Sequence, residues 1–343
     1  TVADTLGEES ISAPLSTQPV DPPTLAITFQ VNDSPLAGTE GEKLTSRVLR
    51  ARLFREAEGN VAIRVTEIGV GEAFEVAGRG ELQLGVLVET MRREGFELAI
   101  SRPRVLLRTM PATGEQLEPI EEVTIDVDQQ YLGKVVEQFS ARKSEMRETR
   151  QSGEGRLRLV FHTPSRGLIG IHGEFLTATR GTGLLNRIFH GYGRHRGLIE
   201  NRRTGMLVAN GAGNAVPYAL WQLEERGVIF INPGDRVYEG MIVGEHAKSN
   251  DLDVNVLKGK QLTNIRASGK DEAVRLTTPE TMSLEQVLAY IQDDELIEVT
   301  PETIRLRKRL LDATSRKRAA RQTLSLIHIS EPTRRTPISY AVF

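Results

Sequence analysis

The stretch from Glu72 to Ile100, EAFEVAGRGELQLGVLVETMRREGFELAI, decides the fold. Its first six residues read as a strand, and after Gly78 and Gly80 the period changes. Leu84, Leu87, Val88 and Met91 recur at three- and four-residue intervals, which predicts a helix over residues 81–93 with one apolar face. Phe96 to Ile100 returns to strand. Working upstream, NVAIRVT at 60–66 supplies another strand and EKLTSRVLRARLFREA at 42–57 a helix, with Leu44, Val48 and Ala51 beside Leu49, Leu53 and Phe54. TLAITFQV at 24–31 supplies the opening strand. The order β-α-β-β-α-β across residues 24–103 is the split βαβ pattern, in which both helices cover one face of an antiparallel sheet.

The same order returns downstream. A strand over 120–127, a helix over 131–142, a turn near Gly153, a strand over 155–163 and a helix over 165–178 repeat the architecture with few identical residues. After residue 197 the texture changes to short strand-like pieces, MLVANG, GVIFI, DRVYEGMIVGEH and DLDVNV, separated by Gly, Asn and Pro around one helix at 215–225. Ser283 is placed to cap a short helix through Tyr290, and strands over 296–299 and 303–306 close the module. The fold class is therefore α+β: two ferredoxin-like βαββαβ sandwiches followed by a mostly β C-terminal domain.

The chain has 343 residues, enough for two or three modules, and its 44 Lys and Arg against 46 Asp and Glu leave a net charge of -2. Any basic binding surface must therefore be local. There is no cysteine, which excludes disulfides, a thiol nucleophile and Cys-ligated metals and fits a reducing cytoplasm. No apolar run approaches the roughly 18 residues that would span a bilayer. The chain opens at Thr1 without an export leader and reads as internal to a longer product, so a catalytic domain is expected upstream. At the other end SLIHISEPTRRTPISYAVF, from Ser325, breaks register with what precedes it and looks like translated sequencing-adapter sequence.

Three segments concentrate positive charge. RGTGLLNRIFHGYGRHRGLIENRR, from Arg180 to Arg203, holds Arg187, Arg194, Arg196 and Arg202 among glycines, with Phe189, Tyr192 and His195 able to stack on a splayed base. The alternative is a solvated Gly-rich connection. Lys258, Lys260, Arg266 and Lys270 lie in a loop-like stretch, and Arg305 to Arg321 is the densest basic run, with Arg307, Lys308 and Arg309 near its start. A disordered charged tail is the alternative for that last run.

Enzyme chemistry is not visible. No G-x-x-x-x-G-K-[ST] loop is present, and the glycine groups at 78–80, 181–183 and 211–213 lack its lysine. His162, His172, His190 and His195 show no close ligand spacing, so neither metal nor catalytic residues are expected. Asp293, Asp294 and Glu295 read as a solvated face, and Glu174 as a surface residue.

PTLAITFQVNDSPLAG at 23–38, GRGELQLGVLVETMRREGFE at 78–97 and PSRGLIG at 164–170 resemble the translational GTPases related to elongation factor G. YEGMIVGEH at 238–246, NIRASGK at 264–270 and DDELIEVTPETIRLRKRL at 293–310 resemble more specifically the TypA/BipA family of ribosome-associated GTPases. The resemblance implies that 1–23 ends a β-barrel and linker, 24–108 and 109–196 are counterparts of the third and fifth domains of elongation factor G, 197–322 is the family-specific domain, and 323–343 is a non-native or disordered tail. It further implies a monomer that binds the ribosome, 23S rRNA and A-site tRNA in the cytoplasm, acting in translation or in large-subunit assembly under stress. GTP and Mg2+ would belong to the parent protein and no cofactor to this fragment. The binding residues expected on this reading are Arg187, Arg194, Arg196, Arg202, Arg203, Lys258, Lys260, Asn264, Arg266, Lys270, Arg307, Lys308 and Arg309. The competing reading is a stand-alone RNA-binding assembly module without GTPase activity.

Overall fold

The computed structural model describes residues 7–8, 13, 21–69, 72–153, 155–199, 202–259 and 275–330, with side chains in the last helix described to 322. The first module consists of β1 (Leu25–Val31), α1 (Ser46–Gly59), β2 (Arg64–Ile68), β3 (Ala73–Gly78), α2 (Glu81–Arg93), β4 (Leu98–Ile100) and the short β5 (Arg104–Val105). Its strands lie in the order β4-β1-β3-β2, with β1 antiparallel to both β3 and β4, so that Phe29 pairs with Phe74 and with Ile100. Leu49 and Leu53 of α1 and Leu84, Leu87, Val88 and Met91 of α2 are buried in one cluster with Ile27, Phe29, Phe74 and Val76. This is the apolar stripe that the helical spacing predicts. Local signals fix the helix starts: Thr45 accepts the Val48 N–H, and α2 begins with Glu81 and ends with Arg92 and Arg93, matching the helix dipole.

The second module repeats the arrangement with β6 (Arg108–Thr109), β7 (Gln116–Asp128), α3 (Leu132–Ala141), β8 (Glu145–Gln151), β9 (Arg156–Pro164), α4 (Ile171–Ala178) and β10 (Leu184–Arg194). The strand order β10-β7-β9-β8 is that of the first module again. Val123, Ile125 and Val127 of β7 face Val135, Phe139, Ile171 and Phe175 from the helices, with Phe139 stacked on Phe161 at 4.9 Å. The alternate residues Glu122, Thr124, Asp126 and Asp128 lie on the opposite face and are partly exposed.

The third module holds β11 (Met206–Ala209), β12 (Gly213–Asn214), α5 (Pro217–Glu224), β13 (Gly227–Ile229), β14 (Arg236–Val237), β15 (Met241–His246), β16 (Leu252–Val254), α6 (Leu284–Tyr290), β17 (Glu295–Val299), β18 (Ile304–Lys308) and α7 (Ala313–Ser330). Pro217 opens α5, where the missing N–H costs nothing, and Ser283 with Gln286 forms a complete capping box on α6. The α+β class and the two ferredoxin-like units stand as read. The third module is joined to the first by strand pairing. β17 pairs antiparallel with β4, Ile297 against Ile100 and Val299 against Leu98, so the strands of the first module and all described strands of the third except the β12–β14 pair form one 11-stranded sheet. Their cores merge as well, since Met206, Val208, Ile242, Leu288, Ile291 and Leu306 share the cluster of Phe29 and Val88. Helix α7 continues through Ser330, past the boundary at 323, while 331–343 lie outside the described residues, as does most of 1–23.

The second module meets both neighbours at Gly170, the residue before α4. Its N–H donates to Glu81 of α2 at 3.0 Å, and a Cβ there would stand 2.6 Å from the Cβ of Ala289 on α6. With φ at +73°, the position also needs the left-handed backbone that glycine adopts without strain. Gly170→Ala should therefore cost about 1–3 kcal/mol in urea unfolding. Gly173→Ala, in the same helix with open space around it, should be neutral or more stable by up to about 1 kcal/mol. Equal effects at the two positions would refute this account of the joint.

Candidate nucleic-acid interface

The β17–β18 hairpin places opposite charges across from one another. Glu295 pairs with Lys308 and Glu298 with Arg305 in the strand register, the closest approach two strands offer. Glu295 is fully buried and takes both guanidinium nitrogens of Arg202, at 2.7 and 3.1 Å. Lys308, 2% exposed, lies 2.6 Å from Asp251, 2.8 Å from Asp294 and 3.1 Å from Glu295. On the other face Arg305 reaches Glu40 at 2.6 Å and Glu298 at 3.1 Å. Arg307, also 2% exposed, hydrogen-bonds Asp33 and stands 3.6 Å from Glu298 as an ion pair without a hydrogen bond. Burial alone would raise the Glu295 carboxyl, but the Arg202 hydrogen bonds and the Lys308 and Arg202 charges hold it below the ordinary glutamate range. Burial likewise opposes the Lys308 charge, yet Glu295, Asp251 and Asp294 keep its pKa above the usual lysine value. Burial against Glu298 pushes the Tyr238 hydroxyl far up, so it remains a donor to that carboxylate.

These positions divide the expected binding set into buried and exposed residues. Arg202, Arg307 and Lys308 are turned inward, because each reaches a buried carboxylate whose charge needs a partner, and Arg307 also joins the first module through Asp33. Glu295, expected on a solvated face, is the centre of that cluster, whereas Asp293 is 89% exposed. Arg196 bends back onto the carbonyls of Lys143 at 2.8 Å and His162 at 2.9 Å. Arg187 is half-buried between Glu121, 3.9 Å away, and Gly80 of the first module.

The outward cations are fewer. Arg194 is 84% exposed and lies 3.0 Å from Glu115, and Arg203, Lys258 and Arg309 are exposed. Lys260, Asn264, Arg266 and Lys270 lie outside the described residues. Helix α7 is held to β16 by Arg316 on Asp253 and presents Lys317, Arg318 and Arg321 to solvent. Exposed cations on a net-acidic, ion-paired scaffold can contact phosphates without committing the molecule to wholesale polyanion binding.

The fold also assembles a group that sequence spacing did not reveal. Glu122, His162 and His190 come together from three different strands, each offering a ligand atom within 4.8 Å of the others. Burial, with the neighbouring His190 and Arg147, lowers the His162 pKa below the ordinary histidine value, so its ring is neutral near pH 7. No close-spaced pattern could have found this group, because its members are brought together by strand register rather than by sequence distance.

Comparison with known proteins places the chain. Residues 204–313 match the TypA/BipA C-terminal domain, and residues 115–203 match the elongation factor G C-terminus. The chain is 51% identical over 325 residues to the "Large ribosomal subunit assembly factor BipA" of Haemophilus influenzae, a match covering 94% of this chain and 52% of that protein. The protein of the same name from Salmonella typhimurium is 50% identical over 321 residues, 93% of this chain and 53% of that one. The one from Bacillus subtilis is 47% identical over 310 residues, 90% of this chain and 50% of that one. The chain spans about half the length of these curated relatives.

The ion-pair geometry fixes the outcome of two substitutions. Lys308→Ala, which leaves buried Glu295 with Arg202 as its remaining cationic partner, should cost about 1–3 kcal/mol, while exposed Arg309→Ala should stay within about 0.5 kcal/mol. The depressed Glu295 pKa means that the unfolded chain binds its proton first as pH falls, so stability from this group is present at neutral pH and lost below the ordinary carboxylate range. Denaturant unfolding between pH 7 and 3 should show a shallower acid loss in Glu295→Gln than in the unaltered chain. Parallel profiles would contradict the assignment.

Proposed function

The chain belongs to the TypA/BipA family, and from that premise we propose that it is the ribosome-binding portion of a large-subunit assembly factor. What supports this reading is the near-half identity, over nine-tenths of the chain, to proteins bearing that name. In this reading the 11-stranded sheet is a rigid carrier, and Arg194, Arg203, Lys258 and Arg309, with Lys317, Arg318 and Arg321 of α7, contact phosphates of ribosomal RNA. Arg202, Arg307 and Lys308 act behind them by fixing the platform. Lys260, Asn264, Arg266 and Lys270 remain candidates on the same electrostatic grounds as Lys258. A monomer working on ribosomes in the cytoplasm follows from the same reading, and no helix among the described residues is long and apolar enough to cross a membrane.

GTP hydrolysis with Mg2+ is proposed for the full-length family member, and the residues of this chain do not fit that nucleotide. The glycine group at 78–80 does lead into the N-terminus of α2, but the first helical residue is the acid Glu81, whose carboxylate accepts the Gly170 N–H. No lysine follows it to reach a terminal phosphate. This chain's contribution is therefore binding and shape.

Co-sedimentation with separated ribosomal subunits over a salt series tests the proposal. The chain should pellet with the large subunit, with affinity falling as salt rises. Replacing Arg194, Lys258 and Arg309 together with alanine should flatten the log–log salt slope by about one for each phosphate no longer neutralised. Equal retention on both subunits, or binding indifferent to salt, would overturn it.

A further inference from the structure

The open face of the second module's sheet carries a feature that ribosome binding does not explain. Glu122 of β7 lies directly opposite His162 of β9. On the other side of β7 the register slips: Phe189 faces Glu121 and Gly191 faces Ile120, leaving His190 as the extra residue of a bulge in β10. Bulges re-aim a side chain, and this one sets the His190 ring against His162, with centroids 4.1 Å apart at 39°. Glu122 completes the group, its Oε2 being 3.6 Å from His162 Nε2. None of the three belongs to the apolar core beneath the sheet.

We propose that Glu122, His162 and His190 form a binding site for a divalent transition-metal ion of the zinc class. Two imidazoles and a carboxylate are the donor set that borderline-soft cations prefer over magnesium or calcium, and three protein ligands leave a position for water. Donors bound at about 2.1 Å to one ion stand at most about 4.2 Å apart, so a group spread over 4.8 Å must contract slightly. His190 is exposed and Glu122 is 43% exposed, so both side chains have room to turn inward. Arg147 opposes the ion: its Nε donates to His162 Nδ1 at 3.2 Å and brings a positive charge to the site. Its other partner, Glu145 at 2.8 Å, offers a place to withdraw to. An ion bound here would tie β7, β9 and β10 together across their uncovered face. It would also stiffen the strand that ends at Arg194, while Arg196 is already bonded to the His162 carbonyl at 2.9 Å.

The test is a titration of the full chain with Co2+, read by its visible ligand-field absorption, followed by displacement with Zn2+. One equivalent should bind saturably. His162→Ala and His190→Ala should each weaken binding by at least about tenfold with unchanged circular dichroism. Arg147→Gln, which keeps all three ligands, should tighten binding several-fold, and His172→Ala, on the remote α4 surface, should change nothing. Absence of saturable binding, equal weakening by His172→Ala, or undiminished binding by the His162→Ala and His190→Ala double variant would overturn the site.

Discussion

Three residues of β4, Leu98 to Ile100, pair with β1 on one side and with β17 on the other, and that shared strand turns two sheets into one. All three are buried, so their main-chain groups must find partners within the protein. Without β17, β4 would be an edge strand exposing a row of donors and acceptors above an apolar core. Without β4, the β17–β18 hairpin would lose the surface on which Ile297 and Val299 are buried. The first and third modules are therefore one cooperative unit, and α6 covers the seam by lying along α2, with Leu288 beside Gly85.

The charges of the hairpin act on top of this pairing. Glu97, next to β4, accepts the backbone N–H groups of Gly38, Glu40 and Gly41 at 2.9, 2.9 and 2.6 Å and so shapes the loop after β1. Glu40 of that loop then accepts from Arg305 of β18, whose other partner is Glu298 of β17. Such a chain of buried ions adds little net stability over apolar packing, because desolvation offsets most of the attraction. What it adds is intolerance of partial pairing: any register that separates one member leaves a buried charge alone. The hairpin can dock in only one way.

The two ferredoxin-like units are legible because their information is local. Helical spacing at Leu84, Leu87, Val88 and Met91, and alternation along TLAITFQV, require only a period and a sidedness. The seam is not legible in the same way, since sheet edges join through backbone groups that every residue carries. The inward placement of Arg307 and Lys308 escapes a reading by composition for a more specific reason. A run of bases suggests one charged surface, but in a strand such a run divides between two faces, and ELIEV a few residues earlier supplies acids at the matching positions. An acidic strand joined by a short turn to a basic one is the available signal for cross-strand pairing. Arg194 and Lys258 are legible as outward residues because each adjoins a glycine at or beyond the end of a strand, where few side chains stand close enough to claim the charge.

The second module is attached differently. Among the described residues no strand of its sheet pairs with the 11-stranded sheet. It meets the other two modules around Gly170, through one hydrogen bond to Glu81, the close approach to Ala289, the packing of Ile169 against the merged core, and Arg187 lying against Gly80. Burial raises the pKa of Glu81, and the Gly170 N–H only partly compensates, so ionisation of that carboxylate works against the closed joint. A joint without strand pairing that holds one reluctant charge opens at a lower cost than a seam made of strand pairing and a merged core. Reorientation of the second module about Gly170 would therefore break fewer strand pairings than opening the seam between the first and third modules. It would carry Arg194 relative to Lys258 and Arg309, changing the spacing of exposed cations without disturbing either sheet.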